Sequence, residues 1–265
     1  MKKIGFCGCG NMGSAMVKGI LDQGICGKED LIVSHLTESG CKRSRREFGV
    51  EATTNVADVV KYSPLVFLAV KPQFYEEVLT EIRPYLTTEH VLVGIAPGKT
   101  LDWIRKRAVT GLKAARFMPN TPAMVGEGMT AVCMDEGMPE DKKEILLKIA
   151  GSFGKTQVVP ERLMDAAGAV SGCSPAFVYQ FIESMADAGV LMGMPRAMAY
   201  EFASQTVLGS AKMVLESGLH PGELKDMVTS PGGTTIEGIR TLEREGMRGA
   251  VMEALISCWE KGKKM

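Results

Sequence analysis

The stretch IGFCGCGNMGSAM, from Ile4 to Met16, decides the fold of the first half of the chain. It places the glycine pattern Gly8-x-Gly10-x-x-Gly13 directly after an apolar run that predicts a β-strand and at the start of a predicted helix. Glycines at this spacing permit a tight turn, close approach of the backbone to a pyrophosphate and close packing of helix on strand. The N-terminus of such a helix faces the phosphates. The stretch therefore predicts dinucleotide binding, against the alternative of a purely structural glycine turn.

Outward from this stretch, residues 1–160 alternate short β-rich runs with amphipathic segments. This alternation is typical of a parallel sheet covered by helices. The predicted strands lie in the runs KIGFCG, DLIVSH, LVFLAVKP, HVLVGIA, LKAARFM, MTAVCM and KTQVVP. Helix-like segments lie between them, among them SGCKRSRREFG, which Gly49 is predicted to stop. We expect an N-terminal Rossmann-type, doubly wound α/β domain over residues 1–160.

Residues 161–265 have a different character, because the β-like runs disappear after Pro160 and Ala, Met and Gly recur at helical spacing. The segment from Pro175 to Met194 carries only Glu183 and Asp187 as charges, so it must be buried on most of its faces. A helical domain of about 105 residues is too small to cover this segment alone. We therefore expect an all-α dimerisation domain that packs against a second copy in a homodimer. The alternative is a central helix wrapped entirely by its own domain.

The charge balance and the cysteines limit the kinds of partner. Lys+Arg and Asp+Glu both count 31 in the 265 residues, so no net field attracts nucleic acid or an anionic membrane. Seven cysteines without a CxxC pair indicate reduced thiols, and Cys7-x-Cys9 alone is a poor metal signature. We expect a cytoplasmic protein that binds a small molecule, with no metal, no nucleic acid and no membrane.

The end of the second predicted strand bears on the choice of dinucleotide. NAD sites usually place Asp or Glu there to bind the ribose hydroxyls, whereas DLIVSH ends in Ser34 and His35, with Lys42 and Arg43 shortly after. A serine hydroxyl can donate a hydrogen bond to a 2′-phosphate that a carboxylate would repel. This pattern favours NADP, although the basic residues taken singly are typical of a solvated helix face.

Two later segments also lie where ligands bind in open α/β sheets. LVFLAVKPQ places Ala69, Val70 and Lys71 at the carboxyl end of a buried strand, before Pro72. RFMPNTPAMVGEG, residues 116–128, follows a later strand and holds two hydrogen-bonding side chains between prolines. Together the two segments predict a cofactor crevice. An ordinary proline-rich connection is the alternative for each.

A turn in the helical half, SPGGTTIEG from Ser230 to Gly238, predicts an anion site. Thr234-x-x-Glu237 has the spacing of a capping box, and the two preceding glycines form an approach turn. Ser230, Thr234 and Thr235 offer hydroxyl donors beside free amides at the positive end of a helix. A carboxylate fits such a site, which favours the reduction of a small acid bearing a C=N or C=O group. A simple joint between two helices is the alternative.

The motifs GFCGCGNMG, FLAVKPQ, RFMPNTPA, SGCSPAF and DMVTSPGGTTIEGI together resemble the pyrroline-5-carboxylate reductase family over nearly the whole chain. The resemblance implies NADPH-dependent reduction of 1-pyrroline-5-carboxylate to L-proline by a Rossmann domain and a helical dimerisation domain. It also implies dimers with interleaved helical domains, and in several members a further assembly into decamers. Each active site would then combine the cofactor domain of one chain with the helical domain of its partner.

The resemblance also assigns roles to individual residues. It gives the cofactor phosphates to the first glycine loop, the 2′-phosphate region to Ser34 and Asn55, and the Glu161 side chain to the neighbourhood of the substrate ring. The cofactor-binding residues that it implies are Gly8, Cys9, Gly10, Asn11, Met12, Gly13, Ser34, Asn55, Ala69, Val70, Lys71 and Ala96. By the same resemblance, the substrate carboxylate would bind to Ser230, Gly233, Thr234 and Thr235. Thr235 would be the catalytic residue and would also hydrogen-bond the ring nitrogen. Pro97 and the pair Cys173-Ser174 depart from the usual family residues.

Two rival functions remain open. A β-hydroxyacid dehydrogenase shares the arrangement of a Rossmann domain followed by helices, but it would need a catalytic lysine on the long helix after the sheet. The chain has no lysine between Lys155 and Lys212. A non-catalytic NADP sensor would keep the first glycine loop without the chemistry, and the whole TSPGGTT stretch argues against it.

Overall fold

The computed structural model describes residues 3–264, within which eight strands form one sheet. The strands are β1 (Ile4–Cys7), β2 (Leu31–Ser34), β3 (Glu51–Thr53), β4 (Leu65–Leu68), β5 (Val91–Gly94), β6 (Lys113–Met118), β7 (Gly128–Met134) and β8 (Gly154–Val158). Their order across the sheet is β3-β2-β1-β4-β5-β6-β7-β8. The order therefore reverses between β1 and β4, which is the point where open α/β sheets bind ligands.

Helices connect most of the strands and make up the rest of the chain. In chain order they are α1 (Asn11–Asp22), α2 (Glu38–Phe48), α3 (Val56–Tyr62), α4 (Tyr75–Ile82), α5 (Leu101–Arg107), α6 (Glu140–Gly151), α7 (Met164–Ala167), α8 (Ser174–Leu191), α9 (Arg196–Ser217), α10 (Pro221–Met227), α11 (Thr234–Arg244) and α12 (Met247–Gly262). Helix α2 ends at Gly49, whose φ of 70° confirms the predicted stop. Of the described helices, none is long and apolar enough to cross a membrane.

The sheet differs from the expectation in two places. Strand β7 runs antiparallel to β6, with Phe117 opposite Val132, whereas a parallel sheet was expected. The connection between them holds only the short turn Thr121–Val125, and a parallel crossover needs a dozen or more residues. Strand β3 and helix α3 were not predicted, because three residues with only Ala52 buried give too short an alternation to recognise.

Both faces of the sheet are covered, as the apolar runs of the strands predict. On one face the rings of Phe6 and Phe67 stack with centroids 4.8 Å apart, and Phe117 meets Phe67 edge-on at 5.6 Å. This face packs against α1 and α6. The opposite face, which includes Cys7 and Leu68, packs against α3, α4 and α5. The two layers fix the strand ends on which the candidate site is built.

The described residues divide into two compact units, and the division falls later than the predicted one. Unit 1 holds residues 3–173 and 258–264, and unit 2 holds Ser174–Ser257. Residues 161–173 belong to unit 1 because α7 and the π-helical segment Gly168–Cys173 pack against β7. The domain bounds 1–160 and 161–265 stay a prediction.

Unit 2 buries little apolar surface of its own. Its buried cluster consists of Ala186, Ala199 and Ala203 on α8 and α9. These helices approach closely at Gly189, where a Cβ would lie 3.2 Å from the Ala199 Cβ. Its exposed large apolar residues include Tyr179, Leu191, Met192, Phe202, Leu208 and Leu215. Apolar exposure on this scale marks an interaction surface, as the predicted dimerisation requires.

Candidate active site

The carboxyl ends of β1 and β4 bring Gly8, Ala69 and Val70 together. Gly8 has a φ of 90°, a conformation that L side chains rarely adopt. A Cβ on Gly8 would lie 2.7 Å from Val70 Cγ1 and 3.0 Å from the Ala69 carbonyl oxygen. The Ala69 amide in turn donates to the Cys7 carbonyl at 2.8 Å. The fold of unit 1 itself therefore requires the first glycine of the predicted loop.

Gly10 differs from Gly8, because its surroundings are open and packing does not require a glycine there. It is the exposed N-cap of α1, and a Cβ there would meet no atom within 4 Å. No side chain caps α1, so the amides of its first turn, at Asn11 and Met12, are left for another acceptor. Open space in front of an uncapped helix N-terminus fits a pyrophosphate. Gly13 has a packing role, because its Cβ would lie 3.2 Å from the Gly8 carbonyl oxygen.

Ser34 lies beneath this glycine turn, where it is 1% exposed. Its hydroxyl accepts a hydrogen bond from the Gly8 amide at 2.9 Å. Ser34 therefore holds the turn in place, and its contact with a 2′-phosphate stays a prediction. Cys9 is also buried, with its thiol 3.5 Å from the Ser14 hydroxyl, so the backbone is the part of Cys9 that a phosphate can reach.

The end of β2 carries no negative charge. His35 Nε2 lies 2.8 Å from the Ser44 hydroxyl on α2. Burial, with a smaller contribution from Arg43, lowers the pKa of His35 and so favours the neutral form of its ring. Thr37 caps α2 by accepting from the Gly40 amide at 3.3 Å. A phosphate on the adenosine ribose meets no carboxylate from β2 here, which suits NADP.

The remaining predicted cofactor residues also follow strand ends. Asn55 caps α3 after β3, and its Oδ1 accepts from the Ala57 amide at 2.9 Å. Lys71 is exposed just after β4. Ala96 follows β5 and is 5% exposed. The structure thus places these residues along the carboxyl edge of the sheet, and their contacts with the cofactor stay predictions.

The proline-flanked loop after β6 is more structural than the sequence suggested. The Asn120 Nδ2 donates to the Ser171 carbonyl at 3.0 Å, and its Oδ1 accepts from the Met129 amide at 2.8 Å. Its amide group therefore ties the loop to β7 and to the π-helical segment. Both polar groups of this side chain are engaged within unit 1, and the contribution of the loop to a cofactor crevice stays a prediction.

Glu161 forms an ion pair that the sequence analysis missed. Its Oε1 accepts from the Leu101 amide at 2.6 Å and from Arg116 Nη1 at 3.1 Å. Arg116 is 2% exposed, and Asp165 lies 3.8 Å from its Nη2. Within the described residues its Nε and Nη2 make no hydrogen bond. The only sequence signal for this pair is an arginine inside the apolar run LKAARFM, since a buried arginine needs an acidic partner.

The Leu101 amide explains why a carboxylate stands at position 161. Thr100 caps α5 by accepting from the Trp103 amide at 3.0 Å, which leaves the amide of Leu101 unpaired within the helix. Glu161 supplies that acceptor and joins α5 to the segment that follows β8. This brace is a structural role for Glu161, and its position near the substrate ring stays a prediction.

In unit 2, the turn before α11 is formed by its glycines. The Gly233 amide donates to the Ser230 carbonyl at 3.1 Å, and Gly232 has a φ of 68°. A Cβ on Gly233 would collide with the Ser230 hydroxyl. The predicted capping box is wrong, because Gly233 rather than Thr234 is the N-cap and no side chain caps the helix. Glu237, the other half of the box, pairs with Arg240 instead.

The turn leaves a cluster of donors without partners. Within the described residues, the exposed hydroxyls of Ser230, Thr234 and Thr235 make no hydrogen bond. A groove of about 560 Å³ lies beside the turn. Of the three hydroxyl residues only Thr234 lines it, together with Gly232, Gly233, Ile236 and Thr241. Its volume lies within the range of small-molecule sites, about 300–1,000 Å³. Hydroxyls and amides at an uncapped helix N-terminus are chemically suited to one carboxylate, and carboxylate binding at this turn stays a prediction.

A Rossmann sheet with its glycine turn open to a pyrophosphate, in one chain with a helical unit whose turn before α11 leaves donors unpaired, is typical of a dinucleotide-dependent oxidoreductase. Comparisons with known proteins narrow this class. Residues 161–265 match the family model described as pyrroline-5-carboxylate reductase dimerisation. Residues 3–98 match the model described as NADP oxidoreductase, coenzyme F420-dependent.

Relatives and solved structures agree over the full length. Pyrroline-5-carboxylate reductase of Escherichia coli K12 is 46% identical over 265 residues, which cover 100% of this chain and 98% of the relative. The enzyme of the same name from Methanosarcina acetivorans is 42% identical over 264 residues, with the same coverage of both chains. The crystal structure of Plasmodium falciparum pyrroline carboxylate reductase with NADP bound has a TM-score of 0.90 at 34% identity, covering 99% of this chain and 97% of that one. The chain belongs to the pyrroline-5-carboxylate reductase family.

Proposed function

We propose that this protein reduces 1-pyrroline-5-carboxylate to L-proline with NADPH as the electron donor. The observation that carries the proposal is the turn before α11, where three unpartnered hydroxyls and an uncapped helix N-terminus fit a single carboxylate. A β-hydroxyacid dehydrogenase would need a lysine that the chain lacks between Lys155 and Lys212. The full-length similarity to reductases of this name supports the same choice.

The cofactor would be held by backbone more than by side chains. The amides at the start of α1, exposed in front of Gly10, would bind the pyrophosphate. Ser34 would act by fixing Gly8, and the neutral end of β2 would admit the 2′-phosphate. Ala69, Val70, Lys71 and Ala96 would line the rest of the crevice, with Asn55 beside the adenosine end.

The substrate would be held by its carboxylate and its ring nitrogen. Ser230, the Gly233 amide and Thr234 would bind the carboxylate, and Thr235 would accept a hydrogen bond from the protonated nitrogen. NADPH supplies a hydride to the carbon of the C=N bond. The electron pair of that bond then neutralises the nitrogen, which keeps its proton, so the chain need not provide a strong acid. A threonine hydroxyl is a weak acid, and it is sufficient for this chemistry.

The proposal extends to the assembly and the location of the protein. The apolar surface of unit 2 would be covered by a second copy in a homodimer, so that each active site combines two chains. Further assembly into decamers and a cytoplasmic location are consistent with the family resemblance, and both are proposals.

A coupled measurement of cofactor and product tests the proposal. NADPH consumption is followed with and without 1-pyrroline-5-carboxylate, and L-proline is quantified by chromatography. We expect one L-proline for each NADPH consumed, and slower turnover with NADH. NADPH binding without substrate-dependent consumption would favour the sensor function instead. NADPH consumption with the oxidised form of a β-hydroxyacid, but not with 1-pyrroline-5-carboxylate, would favour a β-hydroxyacid dehydrogenase.

A further inference from the structure

Tyr75 binds three backbone groups at the edge of the sheet where the cofactor is proposed to lie. It is the first residue of α4 and is wholly buried. Its hydroxyl donates to the Leu68 carbonyl at 2.5 Å. The same oxygen accepts from the Ile95 amide at 2.9 Å and from the Ala96 amide at 3.0 Å. One phenol thus joins the carboxyl ends of β4 and β5.

These contacts use the full hydrogen-bonding capacity of the hydroxyl. A phenolic oxygen has one hydrogen to donate and two lone pairs that accept, and all three are engaged. Burial raises the pKa of Tyr75, which keeps the hydrogen on the oxygen. The hydroxyl has nothing left with which to bind a substrate or to transfer a proton. The role of this hydroxyl must therefore come from the three backbone groups that it binds.

What Tyr75 holds is the backbone on either side of the proposed crevice. Leu68 is followed at once by Ala69 and Val70, which contact Gly8 of the phosphate-binding turn. Two successive amides bound to one oxygen fix the peptide planes of Ile95 and Ala96. The next residue is Pro97, whose ring restricts φ and which has no amide of its own.

Packing around the phenol makes this arrangement rigid. A Cβ on Gly94 would lie 2.8 Å from Ile104 Cδ1 and 3.8 Å from the Tyr75 hydroxyl. The Trp103 ring lies beside the phenol, tilted by 55° with a centroid separation of 6.2 Å. Phenylalanine at position 75 would fill the same space and leave two amides and a carbonyl without partners inside the core.

We infer that Tyr75 is a positioning residue of the cofactor site, whose hydroxyl sets the spacing of the β4 and β5 loops against which NADPH lies. The inference rests on the proposed function, because it takes these strand ends as the cofactor crevice. The sequence gives no sign of it, since Tyr75 reads as one more apolar position of an amphipathic helix.

Tyr75→Phe in the full-length protein tests the inference. The matched control is Tyr62→Phe, which also removes a hydroxyl that donates to a backbone carbonyl, that of Glu29, at the amino end of β2. We expect Tyr75→Phe to raise the Kd for NADPH at least tenfold in a fluorescence titration and Tyr62→Phe to change it less than twofold. Hydrogen exchange of the Ile95 and Ala96 amides should accelerate at least tenfold in Tyr75→Phe, while that of Val93 stays as in the wild type.

Two results would overturn the inference while the proposed function stands: wild-type NADPH affinity in Tyr75→Phe, or unchanged exchange at Ile95 and Ala96. Failure of the wild type itself to bind NADPH would instead overturn the proposed function. If Tyr75→Phe does not fold, Trp103→Leu is used in its place. This variant removes the ring that packs beside Tyr75 and leaves the Tyr75 hydroxyl present. It is expected to raise the Kd about threefold, and an unchanged Kd would overturn the inference.

Discussion

Gly8 and Gly10 of the first glycine loop should respond differently to substitution by alanine. Gly10→Ala adds a methyl group where no atom lies within 4 Å, at a φ of −80° that alanine adopts freely. Loss of a glycine N-cap is offset by about 0.4 to 1 kcal/mol of reduced chain entropy in the unfolded state. The free energy of unfolding of the apoprotein should therefore stay within about 1 kcal/mol of the wild type.

The same methyl group should weaken cofactor binding. It would stand in the open space before α1, where the pyrophosphate is proposed to approach the Asn11 and Met12 amides. Loss of one hydrogen bond to a charged group costs about 1.5 to 3 kcal/mol. This corresponds to an increase of about 10- to 150-fold in the Kd for NADPH. Fluorescence titration with NADPH measures the Kd, and denaturant unfolding without cofactor measures stability.

Gly8→Ala provides the contrasting case. The left-handed φ of 90° costs alanine about 1 to 2 kcal/mol, and the approach to Val70 and Ala69 adds about 1 to 3 kcal/mol of overpacking. We expect this variant to lose about 2 to 5 kcal/mol of stability before any cofactor is added. If Gly10→Ala bound NADPH as well as the wild type, or if Gly8→Ala were as stable as Gly10→Ala, the assignment of the two roles would be refuted.

Three further variants test other parts of the structure. Thr235→Ala should lower kcat by about 10² with little change in stability, since its hydroxyl has no partner within the described residues, whereas Thr206→Ala on α9 should leave kcat as it is. Glu161→Ala should lower the free energy of unfolding by about 1 to 3 kcal/mol because it leaves Arg116 Nη1 and the Leu101 amide without their acceptor, while Asp165 stays 3.8 Å from Nη2. A loss no larger than that of Glu38→Ala, an exposed pair, would contradict this. The lowered pKa of His35 means that the unfolded chain takes up its proton first as pH falls through about 6.5, so acidification should lower the Tm of the wild type more than that of His35→Gln. If the Tm of the two proteins fell equally as the pH was lowered, His35 would not contribute to the pH dependence of stability.

The features predicted correctly from sequence are those that local chemistry decides. Gly8 needs a positive φ and Gly49 ends a helix, and only glycine satisfies both conditions readily. β-rich runs identified seven of the strands, and the apolar ones among them, such as β1, β4 and β5, stand out because they are buried on both faces. The donors of the SPGGTT turn could be recognised because amides at a helix start are unpaired whatever surrounds them.

The features that were missed depend on which distant groups meet. The inward orientation of Ser34 follows from its place in the sheet. The sequence of β2 alone cannot show whether the hydroxyl points to Gly8 or to a phosphate. Likewise, the acceptors of the Leu101, Ile95 and Ala96 amides come from Glu161 and Tyr75, which are remote in sequence. The cap of α11 was misplaced by one residue, because a glycine pair leaves open where the extended backbone ends and the helix begins.

The exposure of the turn in unit 2 limits what that unit can do alone. Three hydrogen bonds to a carboxylate contribute about 4.5 to 9 kcal/mol in sum, and the helix terminus adds about 0.3 to 1 kcal/mol. Association costs about 4 to 15 kcal/mol in lost translational and rotational freedom. The two sides nearly cancel, so if Ser230, Thr234 and Thr235 bind the carboxylate as proposed, these exposed donors would select it without holding it firmly. Under the proposed function, substrate binding would then have to draw its remaining free energy from contacts outside this turn.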